Sequence, residues 1–249
     1  MISIIITYYT GLNILYSNLS LLLQTNLDNV EIIIVNDNPK VKLTLNMLPA
    51  SDTVPMRILT MPCNGGYAAA CNYGVENARG ELLIFMDSDI LVGNNWLSPL
   101  LHTYYTTSDC GAVSTTILNL NKKQVVHWGL GMIEGFEVIK PFRDGNLPPS
   151  FQHGVYAFNM ASSGCILIPK NVFQNLGGFD EQFYNGFCDL ALTYRITRNS
   201  YKCMYCSDAI VYHRGKISGT TRLAAEDDTR ALFIKKWKNS LPNDGMTIL

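Results

Sequence analysis

Glu81-Leu82-Leu83-Ile84-Phe85-Met86-Asp87-Ser88-Asp89 is an apolar run of strand length that stops on two acids one residue apart. An unbroken apolar run bounded by polar residues reads as a strand buried on both faces of a sheet. Two carboxylates at its exit project near each other on the sheet rim. They repel, which costs stability unless a cation sits between them. Mg²⁺ and Mn²⁺ favour oxygen ligands and bind between carboxylates and substrate phosphates. Taken alone, acids after a strand also serve turns and helix caps.

Upstream, strands and helices alternate. Ile2–Thr7 and Val30–Val35 are apolar strands, and Met56–Thr60 is a shorter one. Between them, Asn13–Gln24 carries Ile14, Leu15, Leu19, Leu22 and Leu23 at helical spacing. Gly66–Ala78 reads as a helix with small residues on one face, ended by Arg79-Gly80, and Trp96–Tyr105 as the next helix. Such alternation implies a mostly parallel sheet flanked by helices on both faces. Ligands of such sheets bind beyond the carboxyl ends of the strands. Thr7-Tyr8-Tyr9, Asn36-Asp37-Asn38 and Asp87-Ser88-Asp89 all fall at strand exits, so the pattern puts them on one rim.

Downstream the pattern changes to short runs rich in Gly and aromatics: Val125–Gly131, Val155–Ser162 and Cys165–Pro169. A helix is expected at Cys188–Arg198, a strand at Tyr201–Tyr212, and a last helix at Ala224–Lys238 with Phe233 and Trp237 on one face. No repeat or Pro/Gly/Ser linker divides the chain, so residues 1–249 read as one domain in two halves, 1–110 and 111–249.

Of the 249 residues, 47% are hydrophobic, enough for a sizeable core. Lys and Arg (19) balance Asp and Glu (20), which argues against the basic stripe of a nucleic-acid binder. No stretch approaches the roughly 20 apolar residues that span a bilayer. Met1 leads straight into Ile2–Ile6 without a basic region or cleavage site, so this reads as a first strand rather than a signal peptide. The seven cysteines are scattered and odd in number, as for reduced, buried thiols in a cytosolic protein. Cys203 and Cys206 form a CxxC, but no second pair completes a zinc site, and both read as small hydrophobes in a strand.

The stretch from Asn64 to Asp89 resembles the family 2 glycosyltransferases. It carries Asn64-Gly65-Gly66, Asn72-Tyr73-Gly74, Ala78-Arg79-Gly80-Glu81 and Asp87-Ser88-Asp89 in the family's order. Asn36-Asp37-Asn38 matches a second donor motif, and Val126-His127-Trp128-Gly129 fits a His-x-Gly element of some members. The resemblance continues through Ser162-Ser163-Gly164-Cys165, Gly177-Gly178-Phe179-Asp180-Glu181, the stretch from Cys188 to Arg195, His213, and Phe233 to Trp237.

What the resemblance implies is a GT-A fold and transfer with inversion from a nucleotide-diphosphate sugar, with a uridine donor as the default. Residues 1–110 would bind the nucleotide sugar, and 111–249 would bind the acceptor and carry catalysis. Mn²⁺ or Mg²⁺ would sit on Asp87, Asp89 and His213. Thr7, Tyr9, Asp37, Asn64, Asn72, Asp87 and Ser88 would contact the donor, with Asn72 near the start of its helix and near the diphosphate. Gly164, Gly178, Phe179 and Asp180 would lie on the acceptor side. Asp189 would be the general base, since inverting transfer needs a carboxylate to take the acceptor proton. The acceptor would be a glycan or lipid-linked saccharide, handled in the cytoplasm at the inner membrane face.

Several of these residues also have plainer readings. Asp37 suits a turn, Asp189 a helix start, and His213 a strand end. Arg214, Lys216 and Arg222 could neutralise the leaving diphosphate or simply be solvated. Trp128, Phe136 and Phe142 supply faces for sugar stacking or for core packing. At Cys188 and Ala191 the chain departs from the family's polar residues, which leaves a catalytically silent nucleotide-sugar-binding protein as the alternative. A nucleotidyltransferase would carry a glycine-rich basic loop after the first strand, whereas Thr7–Asn13 holds one Gly and no Lys or Arg. The G-x-G-x-x-G of a dinucleotide enzyme is absent there as well.

Overall fold

The computed structural model describes residues 1–120, 125–127, 131–133, 137–139, 153–184, 186–214 and 221–237. In chain order the elements are β1 (Ile2–Tyr8), α1 (Leu12–Leu22), β2 (Val30–Asn36), β3 (Met56–Thr60), α2 (Gly66–Glu76), β4 (Leu82–Asp87), β5 (Ile90–Val92), α3 (Leu97–Thr106) and β6 (Cys110–Asn119). There follow β7 (Val125–His127), β8 (Gly131–Ile133), β9 (Glu137–Ile139), β10 (Val155–Phe158), β11 (Cys165–Pro169), α4 (Lys170–Asn175), α5 (Cys188–Arg198), β12 (Lys202–His213) and α6 (Thr221–Trp237).

The main sheet runs β10-β12-β6-β11-β4-β1-β2-β3, with β5 paired to β12 and β7 to β6. Its β4-β1-β2-β3 half is wholly parallel. The other half is mixed: β11 lies antiparallel between β4 and β6, while β12 runs parallel to β6.

The apolar strands feed two cores because successive side chains point to opposite faces. Ile5, Ile33, Val35, Leu83 and Phe85 pack with α2, α4, α5 and α6. Ile4, Ile6, Ile32, Ile34, Ile84 and Met86 pack on the other face with α1 and α3. Small residues on α2, among them Ala68, Ala70 and Cys71, bring that helix close to β1 and β2.

Two strands of the main sheet lie outside those expected from the sequence. β5 has three residues. β6 has ten, and its Ser114, Thr115 and Thr116 are buried. Their hydroxyls donate to the carbonyls of Met204, Cys165 and Ser207 respectively. Cys203 and Cys206 are buried strand thiols of β12, and Cys63 is the exposed one of the seven.

Candidate active site

The strand exits stand level. Thr7 is paired with both Val35 and Asp87, and Tyr8 with Asn36. Alternation then puts Thr7, Asp37 and Asp87 on the same face as Ile5, Val35 and Phe85, under α2 and α5. Thr7 is half-buried and Tyr9, just beyond it, is 51% exposed.

Asp89 and His213 meet at this rim. β5 pairs antiparallel with β12, with Ile90 opposite His213, and the Arg214 N–H donates to the Asp89 carbonyl at 3.1 Å. This ladder sets Nε2 of His213 3.2 Å from Oδ2 of Asp89, with the two side chains 26% and 14% exposed. A carboxylate oxygen beside an imidazole nitrogen suits Mn²⁺. Adjacent ligands of an octahedral ion at about 2.1 Å stand about 3 Å apart, so the pair fits one edge of such an ion. Among the described residues no three His, Cys, Asp or Glu cluster to hold a metal. Among the described residues this pair would offer two donors, and ions bound with phosphates take their remaining ligands from substrate and solvent oxygens. Asp87 stands beside Gly164, whose carbonyl accepts the Asp87 N–H at 3.0 Å, and Ser88 is half-buried between the two acids.

Asp37 is 6% exposed and turned inward. Its two carboxylate oxygens accept the N–H groups of Gly65 and Gly66 at 2.8 and 3.0 Å, at the positive start of α2. Burial pushes its carboxyl above the ordinary value, and those two N–H groups oppose the rise. Asn64 Oδ1 also accepts the Gly66 N–H. Gly66 has φ +80°, and a Cβ there would lie 2.5 Å from the Tyr184 carbonyl. Tyr184 thus closes over this turn. Its phenol is raised by burial and by the nearby Asp37, Tyr9 and Cys63. No sequence signal singled Tyr184 out.

Asn72 lies two turns into α2, not at its start. The glycine pair Gly65-Gly66 begins the helix and leaves Asn72 in the middle. Its amide Nδ2 donates to the Phe179 carbonyl and to Glu181 Oε1, each at 2.9 Å, and Oδ1 accepts the Phe179 N–H at 3.0 Å. The same loop is held from below. Gly178 has φ +68°, and Arg195 donates to the carbonyls of Leu176 and Gly178. Phe179 is 2% exposed and packs against Tyr67, Phe85 and Phe173, so it supports the loop from within the core. Asp180 is paired with Lys236 of α6. Burial opposes ionisation of Asp180, but Lys236 and the Gln182 N–H together hold its carboxyl below the usual range.

Asp189 is the second residue of α5. Its Oδ2 accepts the Ser163 N–H at 3.1 Å and its Oδ1 the Leu190 N–H at 2.9 Å. Ser163 and Gly164 therefore link Asp189 to Asp87. Cys188 and Ala191 are 2% and 1% exposed and belong to the core behind Asp189. Burial, then the adjacent Asp189, keeps the Cys188 thiol well up and protonated. Trp128, Phe136, Phe142 and Lys216 lie outside the described residues, as does the side chain of Arg222. Arg214 is exposed.

Sequence reasoning missed Asn18 too. It is fully buried on α1, and its Nδ2 donates to the carbonyls of Asp87 and Ser88, both at 3.3 Å. A signal for it existed: Asn18 is a polar residue within the helical stripe of Leu15, Leu19 and Leu22.

The profile of Glycosyl transferase family 2 matches residues 3–164. O-antigen biosynthesis protein RfbC of Myxococcus xanthus is 27% identical over 84% of this chain, which spans only 17% of that protein's length. Among solved structures, GalNAc-T7 with UDP, GalNAc and Mn²⁺ superposes with a TM-score of 0.72 at 14% identity, over 96% of this chain and 48% of its own. The mannosyltransferase PcManGT from Pyrobaculum calidifontis, in complex with GDP-Man and Mn²⁺, gives 0.67 at 15% identity, over 94% and 64%. At such identities the likeness speaks for the fold, which is GT-A.

Proposed function

The chain belongs to glycosyl transferase family 2, and from that premise we propose that it moves a sugar, with inversion, from a uridine-diphosphate sugar to a hydroxyl of a glycan or lipid-linked saccharide. The observation that carries this reading is the Asp89–His213 pair at the sheet rim, with Asp189 tied through Ser163 and Gly164 to the neighbouring Asp87. Both solved neighbours contain a nucleotide and Mn²⁺, which supports a divalent ion here. The Myxococcus relative's name supports a setting in cell-surface polysaccharide assembly. No described helix is long and apolar enough to cross a membrane. Peripheral contact with the inner face remains part of the proposal, since the acceptor is lipid-linked in one of its two forms.

In this mechanism Asp89 and His213 would hold Mn²⁺ or Mg²⁺. When bound, that ion supplies positive charge against the departing diphosphate. Thr7, Tyr9 and Tyr184 surround the place for the base, and Asp37 fixes the turn at Gly65-Gly66 beside it. Asp189 takes the proton from the acceptor hydroxyl as its oxygen bonds to the anomeric carbon and the nucleoside diphosphate leaves with the bonding pair. Asp189 lies in the first turn of α5, whose free N–H groups attract a carboxylate.

Labelled UDP-, GDP- and dTDP-sugars incubated with the protein and Mn²⁺ test the reading. Slow donor hydrolysis is expected even without acceptor. A protein that neither binds nor consumes any of them refutes it.

A further inference from the structure

The backbone of the Asp87-Ser88-Asp89 turn is held before any ligand arrives. Its three carbonyls all have donors: Asp87 and Ser88 accept from Asn18 Nδ2, and Asp89 accepts from the Arg214 N–H. The Asp87 N–H, in turn, donates to Gly164. Two of these four bonds join backbone to backbone, and the other two come from Asn18. Asn18 is the one side chain among these donors, and it reaches the turn from α1 on the opposite face of the sheet from α2 and α5.

Asn18 sits badly for a residue whose task is stability. It is fully buried, and its Oδ1 has no hydrogen-bond partner among the described residues. Such an orphaned acceptor costs free energy, and a leucine of similar shape would remove that cost. Only the amide nitrogen can face the two carbonyls, because the reverse orientation would gather three oxygens together. With these carbonyls drawn toward α1, the strand exit is fixed and the acidic side chains are left to the rim. We infer that Asn18 is a positioning residue for the donor site, fixing the Asp87–Asp89 turn so that Asp89 meets His213 in register for a divalent ion and diphosphate. This rests on the donor-site reading above.

The test compares Asn18→Leu with Leu15→Ala, which weakens the same helix without touching the turn. Mn²⁺ binding in the presence of UDP is followed by calorimetry and by the Mn²⁺ paramagnetic resonance signal, and melting temperature is measured alongside. Asn18→Leu removes the orphaned Oδ1 but takes the donor from the Asp87 and Ser88 carbonyls, so its melting temperature should fall no further than that of Leu15→Ala, while Mn²⁺ affinity falls about 10- to 100-fold, the range for groups that orient metal ligands. Leu15→Ala should melt lower and bind Mn²⁺ as the unaltered protein does. Equal Mn²⁺ affinity in Asn18→Leu, over an unaltered protein that binds, overturns this proposal alone. So does a loss of affinity that Leu15→Ala reproduces. An unaltered protein that binds no Mn²⁺ with UDP overturns the donor-site reading, and this proposal with it.

Discussion

His213 Nε2 stands 3.2 Å from Asp89 Oδ2, although the two residues come from distant parts of the chain. The β5–β12 ladder joins them: Ile90, the residue after Asp89, is the registered partner of His213. A three-residue strand thus places one side chain from each half of the chain on a shared edge, and the geometry is set by main-chain pairing rather than by long side chains reaching across.

Removing either member should therefore act on metal-dependent binding. Asp89→Ala is expected to abolish the Mn²⁺-dependent part of nucleoside-diphosphate affinity, and His213→Ala to weaken it by about tenfold or more. Calorimetric titration of UDP with and without Mn²⁺ reads both. Unaltered affinity in Asp89→Ala would rule out its role as ligand.

Asp189→Asn keeps the shape and one acceptor oxygen but removes the proton acceptor. Turnover should fall about 10²- to 10⁴-fold with donor affinity nearly unchanged. Near-normal turnover with a lowered melting temperature would leave Asp189 as a helix-start acid only. Attention would then pass to the exposed Glu181, since Asp180 is occupied by Lys236.

Asn72→Leu should loosen the loop at Phe179–Glu181. It removes three hydrogen bonds and strands the Phe179 N–H and carbonyl, which we expect to cost on the order of 2–3 kcal/mol in urea unfolding. A loss below about 0.5 kcal/mol would show that the loop is held by Arg195 and the Phe179 packing alone.

Glu31 governs part of the acid response. It is 3% exposed, and burial alone would raise its pKa. The Ser3 hydroxyl, the Arg79 N–H and the Arg57 guanidinium together outweigh that and hold it below its ordinary 4.5. A carboxyl depressed in the folded state stabilises above its unfolded pKa and loses that contribution as pH falls through the folded one. Stability should therefore drop as pH is lowered below about 4.5. In Glu31→Gln that part of the slope should vanish and the neutral-pH stability be lower. Parallel pH slopes in the two proteins would contradict this.

The parallel half of the fold was legible because its strands are unbroken apolar runs and its helices keep a 3.6-residue stripe. β6 was not, because Ser114, Thr115 and Thr116 read as polar in sequence while neighbouring strands satisfy their hydroxyls inside the sheet. At the candidate site, Asp87, Asp89, Asp189 and His213 stand out in the sequence through ordered motifs. The inward turn of Asp37 and the engagement of Asn72 with Phe179 were hidden, because each depends on a partner far along the chain. Asn18 was visible as a polar break in an apolar stripe, but only the fold shows what it faces.

The placement of β11 has a consequence for how the chain is made. β4 borders β1 on one side and β11 on the other, so on a ribosome it emerges with one edge open and stays so until residues 165–169 follow. An apolar strand left unpaired is a template for other chains, and pairing across so long a separation is slow to form. A fragment ending near residue 110 would keep that edge permanently. It should aggregate on expression rather than behave as a small nucleotide-binding protein, so residues 1–110 would depend for their solubility on a strand that comes much later in the chain.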